Sequence, residues 1–176
     1  MNFRILVLLF LSFFFPINAH AFWIWTPETN RWVNPKYAVK DTPQEQLDYI
    51  KGFMDAKEFS RAITESRKLI KFYPKSKEAP EAQYYQGRAF EYLSNPFEAF
   101  KAYQVVVEQY PFSERSAEIV ERQYQIGEDL LSGRSKGKWT DLFTSDLPVV
   151  EVFRTVIKNS PYGKYAAVAQ YKIGLY

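Results

Sequence analysis

The sequence predicts an all-α chain built as a stack of helix pairs, and three observations predict it. Residues 80–111, PEAQYYQGRAFEYLSNPFEAFKAYQVVVEQYP, read as two amphipathic helices joined by the turn Ser94-Asn95-Pro96. Tyr84, Gly87, Phe90 and Leu93 share helical spacing in the first, as do Ala99, Tyr103 and Val106 in the second. So short a pair cannot bury its apolar face alone and needs neighbours of its own kind. Those neighbours appear on sliding the chain by 37 residues: Phe53 falls on Phe90, Ala62 on Ala99, Tyr73-Pro74 on Tyr110-Pro111 and Ser76 on Ser113. A third signal is Tyr-x-x-Gly, which recurs as Tyr84…Gly87, Tyr124…Gly127 and Tyr171…Gly174. A glycine one turn after a bulky residue, in helix after helix, marks close helix–helix approach.

Residues 1–21 have the three parts of a secretory signal: Arg4, the apolar run from Ile5 to Phe15, and Pro16 before the small-residue site Ala19-His20-Ala21. The run is well short of the roughly 20 apolar residues that span a bilayer, so cleavage is expected after Ala21, with an uncleaved anchor as the alternative. No Cys follows the site, so export without the usual bacterial lipid attachment is expected. Residues 22–42 form an aromatic arm in which Trp25 and Trp32 flank a polar turn, predicting a short hairpin with the two indoles opposed. It serves either as a cap on the helical stack or as a binding arm using Trp25 and Trp32.

The stack itself is expected over residues 43–176. Repeat one takes helices 43–55 and 58–72, with Thr42 as N-cap and Pro43 in the first turn. Repeat two takes 78–93 and 96–109, with Asn95 capping Pro96. The third runs from Ser113 to Leu131, with Gly133 just past its end, and resumes over 147–159. A fourth begins near Gly163, and the sequence stops inside its first helix. Such a helix, unpaired, is expected to expose Val168, Tyr171 and Ile173, and the chain reads as a fragment of a longer protein or as one whose end a partner covers. Residues 132–146 are a loop insertion, made basic by Arg134, Lys136 and Lys138 and sticky by Trp139, Leu142 and Phe143. It is either a partner or membrane-surface contact, with Trp139 as its anchor, or a loop whose aromatics tuck against the helices.

Composition narrows the chemistry. The chain has no Cys, and its one His, His20, lies in the segment expected to be removed. Without thiolate or imidazole it lacks the commonest nucleophile, base and zinc ligands, so no catalytic residue, cofactor or metal site is expected and the chain does not read as an enzyme. A net charge of +3 gives no reason to expect nucleic acid as a partner.

Gly87, Phe90, Ala99, Tyr103 and Pro111 stand at signature positions of the tetratricopeptide repeat (TPR). Repeat one fits at Phe53, Ala62 and Pro74, but Ile50 replaces the small residue. The chain therefore resembles TPR proteins, which implies a right-handed α-solenoid of about three and a half repeats. Among these it resembles the BamD family of outer-membrane assembly factors. The resemblance rests on the secretory signal, the junctions Tyr73-Pro74-Lys75-Ser76 and Tyr110-Pro111-Phe112-Ser113, and the lengthened third repeat running into NSPYGKYAAVAQYKIG. What it implies is a periplasmic scaffold that helps assemble β-barrel proteins into the outer membrane. Its partners would be envelope-assembly components and unfolded outer-membrane protein segments, and its membrane association would be indirect. Typical members carry a lipid-bearing Cys, which this chain lacks. A TPR adaptor of another envelope complex, of the Tol-Pal or cell-division coordinator type, is the alternative.

In TPR arrays the first helix of each repeat lines the concave face. That spacing exposes Tyr84, Arg88, Glu91 and Tyr92 in repeat two, with Gln44, Lys51 and Asp55 as counterparts in repeat one and Arg122 and Gln125 in repeat three. Tyr and Arg together suit an extended peptide, because both offer contact area and hydrogen bonds. Read without that implication, the same residues are ordinary exposed side chains, with Tyr84 in the helix contact.

Overall fold

The computed structural model describes residues 23–26, 31–33, 38–133 and 147–176. The expected signal at 1–21 and, apart from its first two residues, the basic insertion with Trp139 lie outside the described residues. The chain divides into two compact units, residues 1–38 and 39–176. In the first, β1 (Ile24–Thr26) pairs antiparallel with β2 (Arg31–Val33), placing Trp25 opposite Trp32. Their rings lie 5.6 Å apart at 60°, the tilted arrangement that aromatic quadrupoles favour, so the expected hairpin is present.

The second unit holds seven described helices: α1 (Pro43–Asp55), α2 (Phe59–Phe72), α3 (Ala79–Tyr92), α4 (Pro96–Gln109), α5 (Ser116–Leu131), α6 (Leu147–Asn159) and α7 (Ala166–Leu175). Each packs on the next, and α1 also packs on α3. The predicted caps hold: Thr42 Oγ1 accepts from Glu45 N at 3.2 Å and Asn95 Oδ1 from Glu98 N at 3.4 Å, each satisfying an amide that has no partner in its helix. Helices α3, α5 and α7 begin later than the sequence indicates. The residues ahead of them form a repeated turn, in which Ser76, Ser113 and Gly163 N donate to Tyr73, Tyr110 and Ser160 O, and Ala79, Ser116 and Ala166 N donate one turn on. Three junctions thus share one geometry.

The 37-residue repeat persists in details that hydropathy does not encode. Buried Gln46 Nε2 donates to Glu65 O at 3.2 Å, and buried Gln83 Nε2 donates to Ala102 O at 3.1 Å, each reaching the second helix of its own pair. The turns inside repeats one and two place Lys57 (φ 60°) and Ser94 (φ 54°) in the left-handed region, again 37 residues apart. Glycine occupies that region without steric cost, so Ser94→Gly is expected to stabilise the fold by about 0.5–1 kcal/mol, read as a raised urea midpoint at constant slope.

The glycines mark the tightest contacts. A Cβ on Gly87 would fall 2.7 Å from Cδ1 and 2.9 Å from Cζ of Tyr103, and one on Gly127 2.8 Å from Phe153 Cε1. Both rings are fully buried. In repeat one the residues at the Gly87 and Tyr103 positions are Ile50 and Ser66, both fully buried, so large and small have exchanged helices. This explains how repeat one tolerates Ile50 where the pattern asks for a small residue. On α7, Val168 and Tyr171 are exposed as expected, but Ile173 is not: it is partly buried against the cluster of Tyr124, Phe153 and Val156.

Candidate protein-binding face

The first helices of repeats two and three, α3 and α5, meet through side chains of opposite charge. Arg115 clasps Glu81 with Nε and Nη2 at 2.9 and 2.6 Å, and its Nη1 donates to Glu118 at 3.0 Å. Arg122 donates to Glu118 Oε1 through Nε and Nη2 at 3.1 and 2.9 Å, and to Glu91 through Nη1 at 3.1 Å. Arg88 pairs with Glu91 at 3.3 Å, while its guanidinium donates to the hydroxyls of Tyr84 at 3.3 Å and Tyr92 at 2.9 Å. The Tyr84 hydroxyl in turn donates to Glu118 at 2.6 Å. Three guanidiniums thus alternate with three carboxylates.

This arrangement sets the ionisation of its members. Burial pushes the Glu118 carboxyl up, but hydrogen bonds from Tyr84, Arg122 and Arg115 outweigh it and hold the group below the usual range. For Glu91 burial prevails over Arg122 and Arg88, and the carboxyl is raised. Burial and the neighbouring Glu91 charge push the Tyr103 phenol far up. Its hydroxyl is enclosed beside that carboxylate with no hydrogen bond closed.

Five of the nine residues expected on the concave face, Tyr84, Arg88, Glu91, Tyr92 and Arg122, meet in this cluster. The expectation that Tyr84 is exposed is corrected: α3 turns its ring inward, 6.1 Å from that of Tyr103, leaving it 4% exposed. Tyr92 stays outside, stacked on Phe59 at 4.6 Å. Asp55 and Gln125 are exposed on α1 and α5, and neither joins the cluster. Trp25 and Trp32 are exposed on the hairpin. The sequence reading missed Glu81, Arg115 and Glu118. Their signal is a spacing of about one repeat, since both Glu81–Arg115 and Tyr84–Glu118 are separated by 34 residues.

Beside the cluster runs an open groove of about 1120 Å³. It is lined by Gln44, Leu47 and Lys51 of α1, by the Pro74–Lys77 and Tyr110–Ser113 turns, and by Arg115 and Glu118 at the start of α5. Predicted residue Lys51 therefore faces the groove, together with Gln44. Lys51 pairs with Asp48 at a loose 3.7 Å. Among the described residues no group of three acidic, His or Cys side chains could hold a metal ion, and no helix is long and apolar enough to cross a membrane.

Residues 81–113, most of α3, α4 and the turn after them, match the family described as tetratricopeptide repeat. Among curated proteins, none matches the chain. The matched segment coincides with the helix pair that holds the Gly87–Tyr103 contact, and consecutive helices pack on either side of it as that repeat requires. The helical unit is an all-α tetratricopeptide-repeat solenoid.

Proposed function

We propose that this chain is an exported protein-interaction scaffold of the BamD kind, which receives extended segments of unfolded outer-membrane proteins at its early repeats. An all-helical tetratricopeptide stack is typically a non-catalytic scaffold for protein partners. The observation that supports the finer reading is the groove, because it lies along the first two repeats and over the two Tyr-Pro-x-Ser turns that carry the resemblance. Pro74, Tyr110 and Phe112 offer apolar area, and the turns on which they stand are the same in both repeats. Lys51 and Lys75 add positive charge, suited to a segment with a carboxylate. Arg88, Glu91 and Arg122 then act from behind as the charged clasp that holds α3 against α5, and Tyr92 remains a direct contact.

The test is affinity purification of the protein from its own envelope at native level. Recovery of the central barrel-assembly protein together with unfolded outer-membrane proteins, the latter weakened by Lys51→Glu with Lys75→Glu while the far-UV melt is unchanged, is the expected result. Recovery of a cell-division or Tol-Pal complex in its place would overturn this reading and install the other envelope adaptor.

A further inference from the structure

The second helices of the three pairs, α2, α4 and α6, hold the same place in the repeat but not the same charge. α2 carries four cations and one anion, α4 one and two, and α6 two and one. With the turns on either side of α2 included, residues 57–77 hold seven Lys and Arg against two Glu, a net of +5 where the whole chain carries +3. The remainder of the chain is therefore net negative, and the positive charge is concentrated on repeat one.

Burial sorts these charges to one side. α2 turns Ala62, Ile63, Ser66 and Leu69 into the stack, and helical spacing leaves Arg61, Arg67, Lys71 and Phe72 outward, with Phe72 50% exposed. Both carboxylates are engaged at home: Glu58 pairs with Arg61 at 2.6 Å, while half-buried Glu65 accepts from Gln46 at 2.9 Å and from Lys68 at 2.8 Å. Among the described residues no carboxylate pairs with Lys57, Arg67, Lys71 or Lys75, all of which are exposed. The free charge of this face is of one sign.

We infer that this outer face of repeat one lies against an anionic phospholipid bilayer. Two observations select that occupant. Where this chain joins helix to helix by charge, between α3 and α5, guanidiniums and carboxylates alternate and fix a register. The free cations of α2 have no such alternation, which suits a surface that is negative everywhere and sets no register. At the end of the face Phe72 stands half-exposed with the Lys71 ammonium 5.8 Å from its ring centre, an apolar body beside a cation as a headgroup region accepts it. The chain itself offers no counter-charge: residues 22–42 hold three cations and two anions, and helices continuing the stack would pack on α7, at the other end from α2. Arg67, Lys71 and Phe72 lie outside the groove, so the inference stands apart from the reading given for it.

The test is co-sedimentation of the protein with vesicles of equimolar phosphatidylcholine and phosphatidylglycerol, with phosphatidylcholine alone as the reference. Binding to the first, absent from the second and weakened by added salt, is expected. Arg67→Gln with Lys71→Gln should reduce the affinity by about tenfold or more. Both positions are exposed, and Arg67 touches the stack only through a distant 6.0 Å approach to the Phe90 ring, so the far-UV melt is kept. Lys101→Gln with Lys158→Gln, which removes the same charge from α4 and α6, should leave the affinity nearly unchanged. No binding to the phosphatidylglycerol vesicles, an affinity untouched by Arg67→Gln with Lys71→Gln, or equal losses from the two double variants overturns the inference. So does capture of polyglutamate through Arg67 and Lys71 without vesicle binding, which would give the face to an acidic protein.

Discussion

Gly87→Leu is expected to lower the melting temperature by roughly 10 °C, followed by far-UV circular dichroism. The first added carbon already falls within 2.7 Å of the Tyr103 ring, and that ring is fully buried with no space to retreat into. Overpacking at such a site costs about 3 kcal/mol, more than the gain of under 1 kcal/mol from replacing glycine in a helix. The decisive variant is a double one. Gly87→Ile with Tyr103→Ser copies the pair that repeat one places at the same positions, Ile50 and Ser66. It should recover most of the lost stability, giving a coupling of over 1 kcal/mol in a double-mutant cycle. A double variant as unstable as the sum of the singles would refute the size exchange between repeats.

Glu118→Gln is the second. It removes the one carboxylate that Arg115, Arg122 and the Tyr84 hydroxyl all address, leaving those guanidiniums half-buried around a neutral amide. The Glu118 side chain is 34% exposed, so solvent screens part of the effect and the expected loss is about 1–2 kcal/mol at neutral pH. The pH profile identifies the cause. A carboxyl held below its ordinary value contributes stability above its unfolded pKa of about 4.3, and that contribution is lost as pH falls through the lower folded value. Glu91, raised by burial, has the opposite sign: its contribution is present below its unfolded value and is lost as pH rises through the folded one. Wild type should therefore lose more stability than Glu118→Gln between about pH 5 and pH 3, and the two urea midpoints should converge there. Parallel profiles would mean that Glu118 acts through packing and not through charge.

What the sequence made legible is what repeats or caps locally. Tyr-x-x-Gly located the close approaches at Gly87 and Gly127, and Thr42 and Asn95 announced their helices within three residues. The helix start after Tyr110-Pro111 was harder, because the helix is expected from Ser113 while the chain makes one further turn and begins it at Ser116. Lys57 and Ser94 carry no sign of a left-handed conformation, since neither is glycine or asparagine and the tertiary structure imposes it. The candidate face was half legible. Helical spacing selected Arg88, Glu91 and Arg122, but Glu81, Arg115 and Glu118 join them only across two helices, and no local pattern encodes such a pairing. For the same reason Tyr84 looked available when only its hydroxyl takes part.

The hairpin has a consequence for how this protein is observed. Of its four tryptophans, Trp23, Trp25 and Trp32 lie in the first unit and Trp139 lies outside the described residues, so none stands on a described helix. Within the described helices tyrosine is the fluorescent reporter. With the rings of Trp25 and Trp32 at 5.6 Å, their electronic transitions couple, and an exciton band should overlie the helical ellipticity. An optical melt followed at one wavelength would merge the signal of the indole pair with that of the helices, whereas emission and helical signal recorded together would resolve them.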